Sequence, residues 1–373
     1  MRVLHFFKTY LPDSMGGIEQ VIYQLCQSTL AYGVQSEVLT LSEHPEASPV
    51  HVADHLVHQA KLDLQLASTG LSISVIRRFR ELASQADIIH YHFPWPYMDV
   101  VHFLAQVRKP TVVTYHSDIV RQKHLLRLYS PLMHRFLRQA DRIVVASPNY
   151  LATSPVLHRY KDKTVVIPYG LDMNSYPQAD ESRLAYWSQR FGSRFFLFVG
   201  VMRYYKGLHI LLEAVQGTTL PVVIVGAGPL EDELKAQAQR LKLDNVHFVG
   251  RLGDEDKVAL LQLCSSIVFP SHLRSEAFGI SLLEGAMFGK PMISSEIGTG
   301  TSYINIHNET GLVVPPSDPK ALRAAMQNLW ASPELGLQMG ARAAARYRSH
   351  FTSEQMGLQM AHLYRQLLAN SPA

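Results

Sequence analysis

The sequence predicts an α/β protein with two doubly wound domains. The first observation is length, because 373 residues are too many for one ordinary hydrophobic core. The second is alternation, since short apolar runs typical of buried strands are followed by segments with helical spacing. The third is a strand–glycine turn–helix unit at the start, where Val3 to Phe7 leads through Gly16-Gly17 into a helix reaching about Tyr32.

Composition narrows the class of protein. Hydrophobic residues make up 47% of the chain and charged residues 18%, which is typical of a globular protein and not of a disordered one. No apolar run reaches the length of a membrane span, and the first seven residues read as a strand and not as a signal peptide. The net charge of +4 suits an anionic ligand or an anionic membrane surface, although many proteins without such partners share it.

The cysteine content indicates a reducing compartment. Cys26 and Cys264 lie far apart in the sequence, both in or beside apolar patterns. They therefore imply neither a disulfide framework nor a metal cluster, and a cytoplasmic protein is expected.

In the first half of the chain, most apolar runs have the length of strands. The predicted strands are Val3 to Phe7, Ser36 to Leu41, Val50 to Val57, Leu62 to Leu66, Ile88 to Tyr91, Thr111 to Tyr115, Arg142 to Ala146 and Val165 to Ile167. Ser72 to Ser84 has helical spacing. Residues 173 to 193 are polar and loop-like, which predicts the linker between the domains.

The second half repeats the alternation of strands and helices. The predicted strands are Phe195 to Gly200, Val222 to Val225, Val246 to Val249, Ile267 to Pro270, Met292 to Ser295 and Gly311 to Val314. Asp318 is expected to cap the helix that follows the last strand. The tail from Pro333 to Leu368 is predicted to be helical.

The stretch from Glu276 to Ala286 has the most informative functional pattern. Glu276 stands at the mouth of a predicted helix, Gly279 to Phe288, and Glu284 lies inside it, eight positions further on. Unpaired backbone donors and the helix dipole attract an anion such as phosphate to this N-terminus. Carboxylates beside a phosphate site suit sugar hydroxyls, so the pattern favours a nucleotide-sugar. The donors in question are the N–H groups of Phe278, Gly279 and Ile280.

Each part of this pattern also has a plainer interpretation. An isolated pair of glutamates at this spacing could consist of a helix-capping Glu276 and a solvated Glu284. Arg203 and Lys206 follow the strand Phe195 to Gly200, where they could neutralise a diphosphate or simply be solvated surface charge.

Several stretches together resemble the retaining glycosyltransferases of family 4. They occur in the family's order and span nearly the whole chain. The stretches are Gly16-Gly17-Ile18-Glu19, Thr114-Tyr115-His116-Ser117-Asp118, Gly200 to Gly207, Gly226-Ala227-Gly228-Pro229, and Glu276 to Glu284 followed by Gly285-Ala286-Met287-Phe288-Gly289-Lys290-Pro291. Within the family the chain is most similar to the mannosyl- and rhamnosyltransferases of bacterial O-antigen and lipopolysaccharide assembly.

The resemblance implies the GT-B fold. Two Rossmann-like domains would face each other across a cleft between His116 and Glu276, and the C-terminal helix would cross back to the first domain. Residues 1–175, with the returning helix at about 352–373, would form the N-terminal, acceptor-side domain. Residues 190–351 would form the nucleotide-sugar donor domain.

The resemblance also implies a role for individual residues. His116 would support the reacting sugar ring, Glu276 would bind the transferred sugar near its C3 hydroxyl, and Glu284 would bind the ribose hydroxyls. Arg203 and Lys206 would stabilise the departing diphosphate and, with His116 and Glu276, form the catalytic set. The donor-binding residues would be Gly16, Gly17, Arg203, Lys206, Gly250, Arg251, Phe278, Gly279, Ile280 and Glu284.

Neither a metal nor another cofactor is expected beyond the nucleotide-sugar itself. His90 and His92 share one face of a strand, but no third ligand is near, so a polar strand end is the preferred interpretation. The Arg203 and Lys206 cations are expected to make a metal unnecessary. Nucleic acid is not an expected partner.

The segment Ile119 to Ala140 contains no acidic residue and interleaves cations with leucines. Such a basic amphipathic segment suits an anionic membrane surface, or else an ordinary core-facing helix with a basic outer face. Pro131 should kink or divide it. The family's lipid-linked acceptors favour the membrane, and hence a peripheral position at the inner membrane. The cations are Arg121, Lys123, Arg127, Arg135 and Arg138.

The predicted function is the retaining, metal-independent transfer of mannose or D-rhamnose from a GDP-sugar to a lipid-linked saccharide. No residue distinguishes guanine from uracil, so a UDP-sugar-dependent transferase of glucose, galactose or N-acetylhexosamine stays open. A nucleotide-sugar hydrolase, an epimerase or a glycogen-type synthase would keep the fold and change the chemistry. A non-catalytic sugar-nucleotide sensor or scaffold is the alternative from another class.

Overall fold

A computed structural model describes residues 1–66, 69–119 and 123–370. The chain divides into two compact units. Unit 1 comprises Met1–Gly170 and Thr352–Ala373, and unit 2 comprises Leu171–Phe351.

Sixteen strands and fourteen α-helices alternate along the described residues. The strands are β1 (Arg2–Phe6), β2 (Gln35–Ser42), β3 (Val50–Val52), β4 (His55–Lys61), β5 (Leu64–Leu66), β6 (Thr69–Leu71), β7 (Ile88–Phe93), β8 (Thr111–Tyr115), β9 (Arg142–Val145), β10 (Thr164–Val166), β11 (Phe196–Val199), β12 (Val222–Val225), β13 (Val246–Gly250), β14 (Ser266–Phe269), β15 (Met292–Ser295) and β16 (Gly311–Val314). The helices are α1 (Gly17–Leu30), α2 (Ser74–Gln85), α3 (Pro96–Ala105), α4 (Lys123–Gln139), α5 (Pro148–Thr153), α6 (Glu181–Phe191), α7 (Leu208–Val215), α8 (Glu231–Arg240), α9 (Asp254–Leu263), α10 (Ile280–Met287), α11 (Thr301–Ile304), α12 (Pro319–Ala331), α13 (Pro333–His350) and α14 (Ser353–Asn370). Short 3₁₀ segments lie at Leu157–Lys163, Met173–Ser175 and Tyr204–Lys206.

Unit 1 is built on an eight-stranded sheet with the order β10-β9-β8-β7-β1-β2-β4-β3. Its strands are parallel except β3, which pairs antiparallel with β4. Strand β7 lies between β8 and β1, and all of its residues are buried. Parallel sheets are normally covered on both faces, which explains why β7 contains no exposed position.

The C-terminal helix α14 belongs to unit 1, as the sequence predicted. It packs on α1 at Gly357, where an added Cβ would lie 2.7 Å from the side chain and backbone of Ser28. Only a glycine allows the two helices to approach this closely. Farther along α14, Arg365 donates a hydrogen bond of 2.6 Å to the backbone carbonyl of Tyr32.

Unit 2 is built on a six-stranded parallel sheet with the order β13-β12-β11-β14-β15-β16. Its hydrophobic core joins the apolar strands to α7, α8 and α12. Asp318 caps α12 as predicted, because its carboxylate accepts hydrogen bonds from the N–H groups of Lys320 and Ala321.

One prediction about a helical segment was wrong, and a second was wrong in one of its two alternatives. The polar stretch 173–193 was predicted to be loop-like, but it contains α6, whose Asp180 cap accepts from the Arg183 N–H and whose Trp187 is buried. Trp187 donates a hydrogen bond of 2.9 Å to Asp256 in α9, so a tertiary contact stabilises a segment with little apolar periodicity. For Pro131, division is the wrong alternative, because α4 runs through it as one helix, and a kink there stays a prediction.

Candidate active site

Lys206 and Glu276 form a close ion pair in unit 2, with 2.5 Å between Nζ and Oε2. Lys206 ends the 3₁₀ turn after β11, and Glu276 lies in the loop between β14 and α10. The same Glu276 oxygen accepts a hydrogen bond of 3.3 Å from the Ser271 hydroxyl. The Lys206 ammonium also lies over the rings of Phe269 and Tyr205, at 4.8 and 5.5 Å from their centroids. A cation and a carboxylate are therefore held side by side at the carboxyl ends of neighbouring parallel strands.

Two glycines shape the backbone around Lys206. Gly207, directly after Lys206, has φ +69°, and a Cβ there would lie 2.0 Å from the Pro270 carbonyl oxygen. Gly200, directly after β11, has φ +155°, a backbone conformation that residues with side chains rarely adopt. The backbone on either side of Lys206 thus depends on residues without side chains.

Helix α10 begins beside Glu276 with an N-cap that has no side chain. Gly279 occupies the N-cap with φ +100° and makes no side-chain capping bond, and Ile280 is the first helical residue. An α-helix leaves the N–H groups of its first turn without intrahelical partners, so this end can accept an anion. Phe278 is buried with its ring against Phe351, so only its backbone can contribute to such a site.

Glu284 lies inside α10 and is 5% exposed. Its Oε1 accepts a hydrogen bond of 3.0 Å from the Tyr176 hydroxyl and forms an ion pair of 3.1 Å with Lys257. Burial alone lowers the pKa of Lys257, but the carboxylates of Glu284 and Asp254 raise it above its ordinary value. The plainer interpretation of the two glutamates is therefore wrong: Glu276 does not cap α10, and Glu284 is not on a solvated face.

Three further residues predicted to bind the donor lie on two turns of unit 2. Arg203 is the N-cap of the 3₁₀ turn that ends at Lys206, and it is exposed. Gly250 ends β13 with φ +73°, in a position where an added Cβ would meet nothing within 4 Å. Arg251 follows it and is exposed.

The glycine turn of unit 1 is held by a glutamate. Gly16 is the N-cap of α1, Gly17 is its first residue, and neither position has a left-handed φ. Glu19 in the first turn accepts hydrogen bonds from Thr9 and Ser14, at 2.9 and 3.1 Å. A Cβ on Gly16 would lie 2.8 Å from the Glu19 carboxylate, so the loop closes tightly over this side chain.

His116 directly follows β8 and is 5% exposed. Its Nδ1 is 2.7 Å from the Tyr169 hydroxyl, and its Nε2 is 3.0 Å from Nδ1 of His92 in β7. His92 Nε2 is in turn 3.1 Å from Nδ1 of His5 in β1. We call His5, His92, His116 and Tyr169 the histidine chain. Burial lowers the pKa of His116 and of His5 to about 3, so both rings are neutral at physiological pH.

The interpretation of His90 and His92 as a polar strand end was wrong. Both rings are completely buried in the middle of unit 1, and a third histidine is close by, because β1 pairs with β7 and brings His5 next to His90. Ligand atoms of the three rings lie within 4.8 Å of one another. His90 itself contacts the Tyr364 hydroxyl and the Thr114 hydroxyl, each at 2.6 Å.

Sequence reasoning missed several of these residues. Lys257 follows three acidic residues at a helix start, and nothing in its neighbourhood in the sequence points to Glu284. Tyr176 and Tyr169 are single tyrosines in irregular segments. His5 could have been found, because the first strand of a doubly wound sheet is central and neighbours the strand that contains His92.

The basic helix α4 presents both leucines and arginines to solvent. Leu125 is 53% exposed and Leu128 is 81% exposed, while Arg127, Arg135 and Arg138 are also exposed. Arg121 and the side chain of Lys123 lie outside the described residues. Among the residues described, no helix combines the length and the apolarity that crossing a membrane requires.

Comparisons with known proteins cover both units. The family model for "Glycosyltransferase Family 4" matches residues 15–175, and that for "Glycosyl transferases group 1" matches residues 188–346. The chain is 67% identical over 353 residues to "D-rhamnosyltransferase WbpZ" of Pseudomonas aeruginosa, which covers 95% of this chain and 93% of the relative. It is 52% identical over 368 residues to "O-antigen chain mannosyltransferase C" of Escherichia coli, covering 99% of each.

Among solved structures, the chain resembles sucrose-phosphate synthase from Thermosynechococcus elongatus with a TM-score of 0.84. The two are 23% identical, and the match covers 99% of this chain and all of the other. At this level of identity the likeness concerns the fold, which is the GT-B arrangement of two Rossmann-like domains.

Proposed function

The chain belongs to the family 4 glycosyltransferases, and we propose that it transfers mannose or D-rhamnose from a GDP-sugar to a lipid-linked saccharide in O-antigen or lipopolysaccharide synthesis. Relatives that are 67% and 52% identical over nearly the whole chain, described as a D-rhamnosyltransferase and an O-antigen mannosyltransferase, support this substrate class. The reaction takes place with retention of configuration, as in the family that the motifs resemble.

The observation that supports the proposal best is the Lys206–Glu276 pair. A nucleotide-sugar presents a diphosphate next to a ring of hydroxyl groups, and this pair presents an ammonium next to a carboxylate. The ammonium binds the phosphate and stabilises the charge that develops on the leaving group. The carboxylate accepts hydrogen bonds from sugar hydroxyls, and we assign it to the C3 hydroxyl of the transferred sugar.

The other residues are assigned by their surroundings. Arg203 adds a second cation on the same turn, and the N-terminus of α10 at Gly279 and Ile280 adds backbone donors for phosphate. Glu284 binds the ribose hydroxyls. Gly250 and Arg251 bind the nucleotide. Gly16, Gly17 and His116 of unit 1 act on the diphosphate and the reacting sugar.

The two glutamates do not act as the carboxylate pair of a retaining glycosidase. In such enzymes one carboxylate attacks the sugar and the other donates a proton to the leaving group, at a separation of about 5 Å. Here Glu276 is paired with Lys206 and Glu284 with Lys257, so each carboxylate has a lysine of its own. We therefore propose that the departing phosphate helps to deprotonate the acceptor on the same face of the sugar.

The charge of Lys206 and Arg203 makes a metal ion unnecessary in this proposal. Transfer should proceed at its full rate in the presence of EDTA. If EDTA abolishes transfer and Mg²⁺ restores it, the cationic residues do not suffice and metal independence is wrong.

We further propose that α4 holds the enzyme at an anionic membrane surface. Exposed leucines enter the interface and each arginine adds about 1 kcal/mol on anionic lipid. Arg127→Gln should weaken co-sedimentation with vesicles containing phosphatidylglycerol, and neutral vesicles should bind little of either protein. Arg77→Gln is the control, since Arg77 is an 89% exposed arginine on α2 of the same unit. Equal losses from the two variants would show that α4 is an ordinary basic helix face.

The experiment that tests the donor is a thermal-shift titration with GDP, UDP and ADP, followed by transfer assays with the matching sugars. A ligand at a hundred times its dissociation constant stabilises by about 2.7 kcal/mol, which raises the melting temperature by about 2–4 °C. We expect a shift with GDP, transfer from GDP-mannose or GDP-D-rhamnose, and a product with the donor's anomeric configuration. A rise in melting temperature with UDP alone would mean that the donor is a UDP-sugar of glucose, galactose or N-acetylhexosamine. Binding without transfer to any acceptor would favour the scaffold.

A further inference from the structure

The histidine chain connects His116 to two histidines that the reaction outlined above does not use. Three hydrogen bonds of 2.7, 3.0 and 3.1 Å run from Tyr169 through His116 and His92 to His5. The rings of His92 and His116 are stacked at 23°, and those of His5 and His92 at 25°. His5 and His92 have no exposed surface, so neither can touch a substrate.

Because these rings are neutral, their protons are ordered along the chain. A neutral imidazole has one N–H donor and one bare nitrogen acceptor. If His5 donates from Nδ1, His92 must donate from Nδ1 to His116, and His116 must donate from Nδ1 to Tyr169. If Tyr169 donates instead, all three rings carry the proton on Nε2. The tautomer of His116 therefore cannot change unless those of His92 and His5 change with it.

We propose that His5 and His92 are positioning residues, which hold the His116 ring in one tautomer and one orientation during sugar transfer. His116 uses both ring nitrogens inside unit 1, and its backbone N–H donates to the Phe93 carbonyl at 2.9 Å. Its position at the end of β8 is thus determined by hydrogen bonds in three directions. The inference rests on the proposed function, because it acts on catalysis only through His116.

A neutral histidine suits the reaction better than a charged one. Glycosyl transfer develops positive charge at the anomeric carbon in the transition state, as glycoside hydrolysis does. An imidazolium beside that carbon would oppose the charge, whereas a neutral ring does not. Burial of the histidine chain keeps its rings neutral, since it lowers the pKa values of His92 and His116 well below the ordinary value.

A metal ion is the other occupant that a cluster of histidines could have. Zinc requires bare nitrogens directed at one point, but His90 and His92 each have both nitrogens in hydrogen bonds. Among the described residues, only Nε2 of His5 lacks a partner in this cluster. The hydrogen-bonded chain therefore accounts for more of the geometry than a metal site does.

The kinetic test compares two substitutions of His5. His5→Leu removes Nδ1, whereas the side-chain amide of His5→Asn places a hydrogen-bonding atom close to the Nδ1 position. We expect His5→Leu to lower kcat about tenfold or more and to leave the donor KM nearly unchanged, as happens when a residue that positions an active-site group is lost. His5→Asn should restore most of the lost kcat. The control is His102→Phe. His102 is a buried histidine of unit 1 that contacts Tyr91 and Gln139 and has no described hydrogen bond to the histidine chain.

The second readout is independent of activity. Nitrogen-15 spectra of the histidine rings should show one tautomer for His116 in the wild type, and a mixture or a protonated ring in His92→Phe. Three results would overturn the proposal. The first is an unchanged His116 signal in His92→Phe, and the second is a kcat of His5→Leu equal to that of His102→Phe. The third is stoichiometric zinc that is lost in His5→Leu, which would favour a metal site. If the wild type transfers no sugar at all, the proposed function fails. The spectra would still test whether the histidine chain fixes the tautomer of His116.

Discussion

Unit 1 and unit 2 place different chemistry at the ends of similar parallel strands. At the end of β8 in unit 1, His116 belongs to a series of neutral rings joined by hydrogen bonds. After β11 and β14 in unit 2, Lys206 and Glu276 face each other as a charged pair. The neutral rings of His5 and His92 have no exposed surface, whereas the charged side chains remain 12% and 11% exposed.

This difference follows from the cost of burying charge. A neutral imidazole can enter a hydrophobic core if its nitrogens find partners, but an ionised side chain that loses water must recover the loss from a counter-charge. Lys206 and Glu276 therefore stay near solvent, where an incoming ligand can exchange for one of the partners. His5 and His92 are fully enclosed, so these two can only hold a neighbour in place.

The largest effect is expected from Glu276→Gln, which tests the Lys206–Glu276 pair of unit 2. The carboxylate that we assign to the transferred sugar becomes an amide, and kcat should fall about a hundredfold or more, in the range seen when one transition-state contact is lost. GDP binding should persist or strengthen, because Lys206 loses its competing anion. Steady-state kinetics and calorimetry with GDP measure the two effects.

Glu334→Gln is the matched control for this variant, since Glu334 is an exposed glutamate in the first turn of α13. It should leave kcat within about a factor of two of the wild type. The same small effect in Glu276→Gln would mean that the Lys206–Glu276 pair is structural, and the contrast between the units would disappear.

Gly207→Ala tests whether the turn must hold Lys206 in its present place. Gly207 and Gly217 have nearly the same φ, +69° and +70°, but only Gly207 has a carbonyl oxygen 2.0 Å from an added Cβ. Gly217→Ala should cost about 1–2 kcal/mol for its left-handed backbone alone. Gly207→Ala should cost more and also lower kcat, because Pro270 must move away from the turn. Equal melting temperatures and equal rates in both variants would contradict this role.

Lys257→Met breaks the second charged pair. It leaves the Glu284 carboxylate buried without its ammonium, and should destabilise unit 2 by about 2 kcal/mol, below the range for fully buried pairs because Lys257 is 18% exposed. Donor KM should rise about tenfold with a smaller change in kcat. Lys235→Met is the control, since Lys235 forms a surface pair with Glu231. Adding Glu284→Gln to Lys257→Met should recover part of the stability, and a purely additive double variant would rule out coupling.

The smallest expected effect is on the pH dependence of stability, which should differ between unit 1 and unit 2. The folded pKa values of His5 and His116 are about 3, below the ordinary 6.5, so the unfolded chain takes up protons first as the pH falls. The stability they contribute is complete above pH 6.5 and is lost on acidification toward pH 3, by about 1 kcal/mol per histidine between pH 6.5 and 5.5. Hydrogen exchange corrected for its intrinsic pH dependence should show this loss in β1 and β7 before β14 and β15. His5→Asn should reduce it, and equal sensitivity of the two units would contradict the comparison.

Much of the fold was readable because strands and turns are local. β8, β12, β15 and β16 begin and end at the predicted residues, since each is a short apolar run between turn residues. Helix α6 escaped prediction because its stability depends on a distant partner. Arg183 of α6 forms ion pairs of 2.5 and 3.0 Å with Glu255 and Asp256 of α9, about which a polar window of sequence contains no information.

The candidate site also contains residues that the sequence revealed and partners that it did not. Glu276 and Glu284 are noticeable because they flank one helix start, and their spacing is a property of a short stretch. Their partners are not, since Lys206 lies 70 residues before Glu276. His92 was visible as a histidine in a strand, but its partner His5 is 87 residues away and approaches only because β1 and β7 pair in one register.

The sequence alone determined the alternation of strands and helices, the family, and the side chains available for phosphate and sugar, because periodicity, turn chemistry and short motifs act within about ten residues. Only the tertiary structure decided which of those side chains meet. A hydrogen bond or a close ion pair requires atoms about 3 Å apart, and the register of strands far apart in sequence sets such distances. Burial is decided at the same level, and burial is what leaves His5, His92 and His116 of unit 1 neutral, while the Lys206–Glu276 pair of unit 2 stays close to solvent.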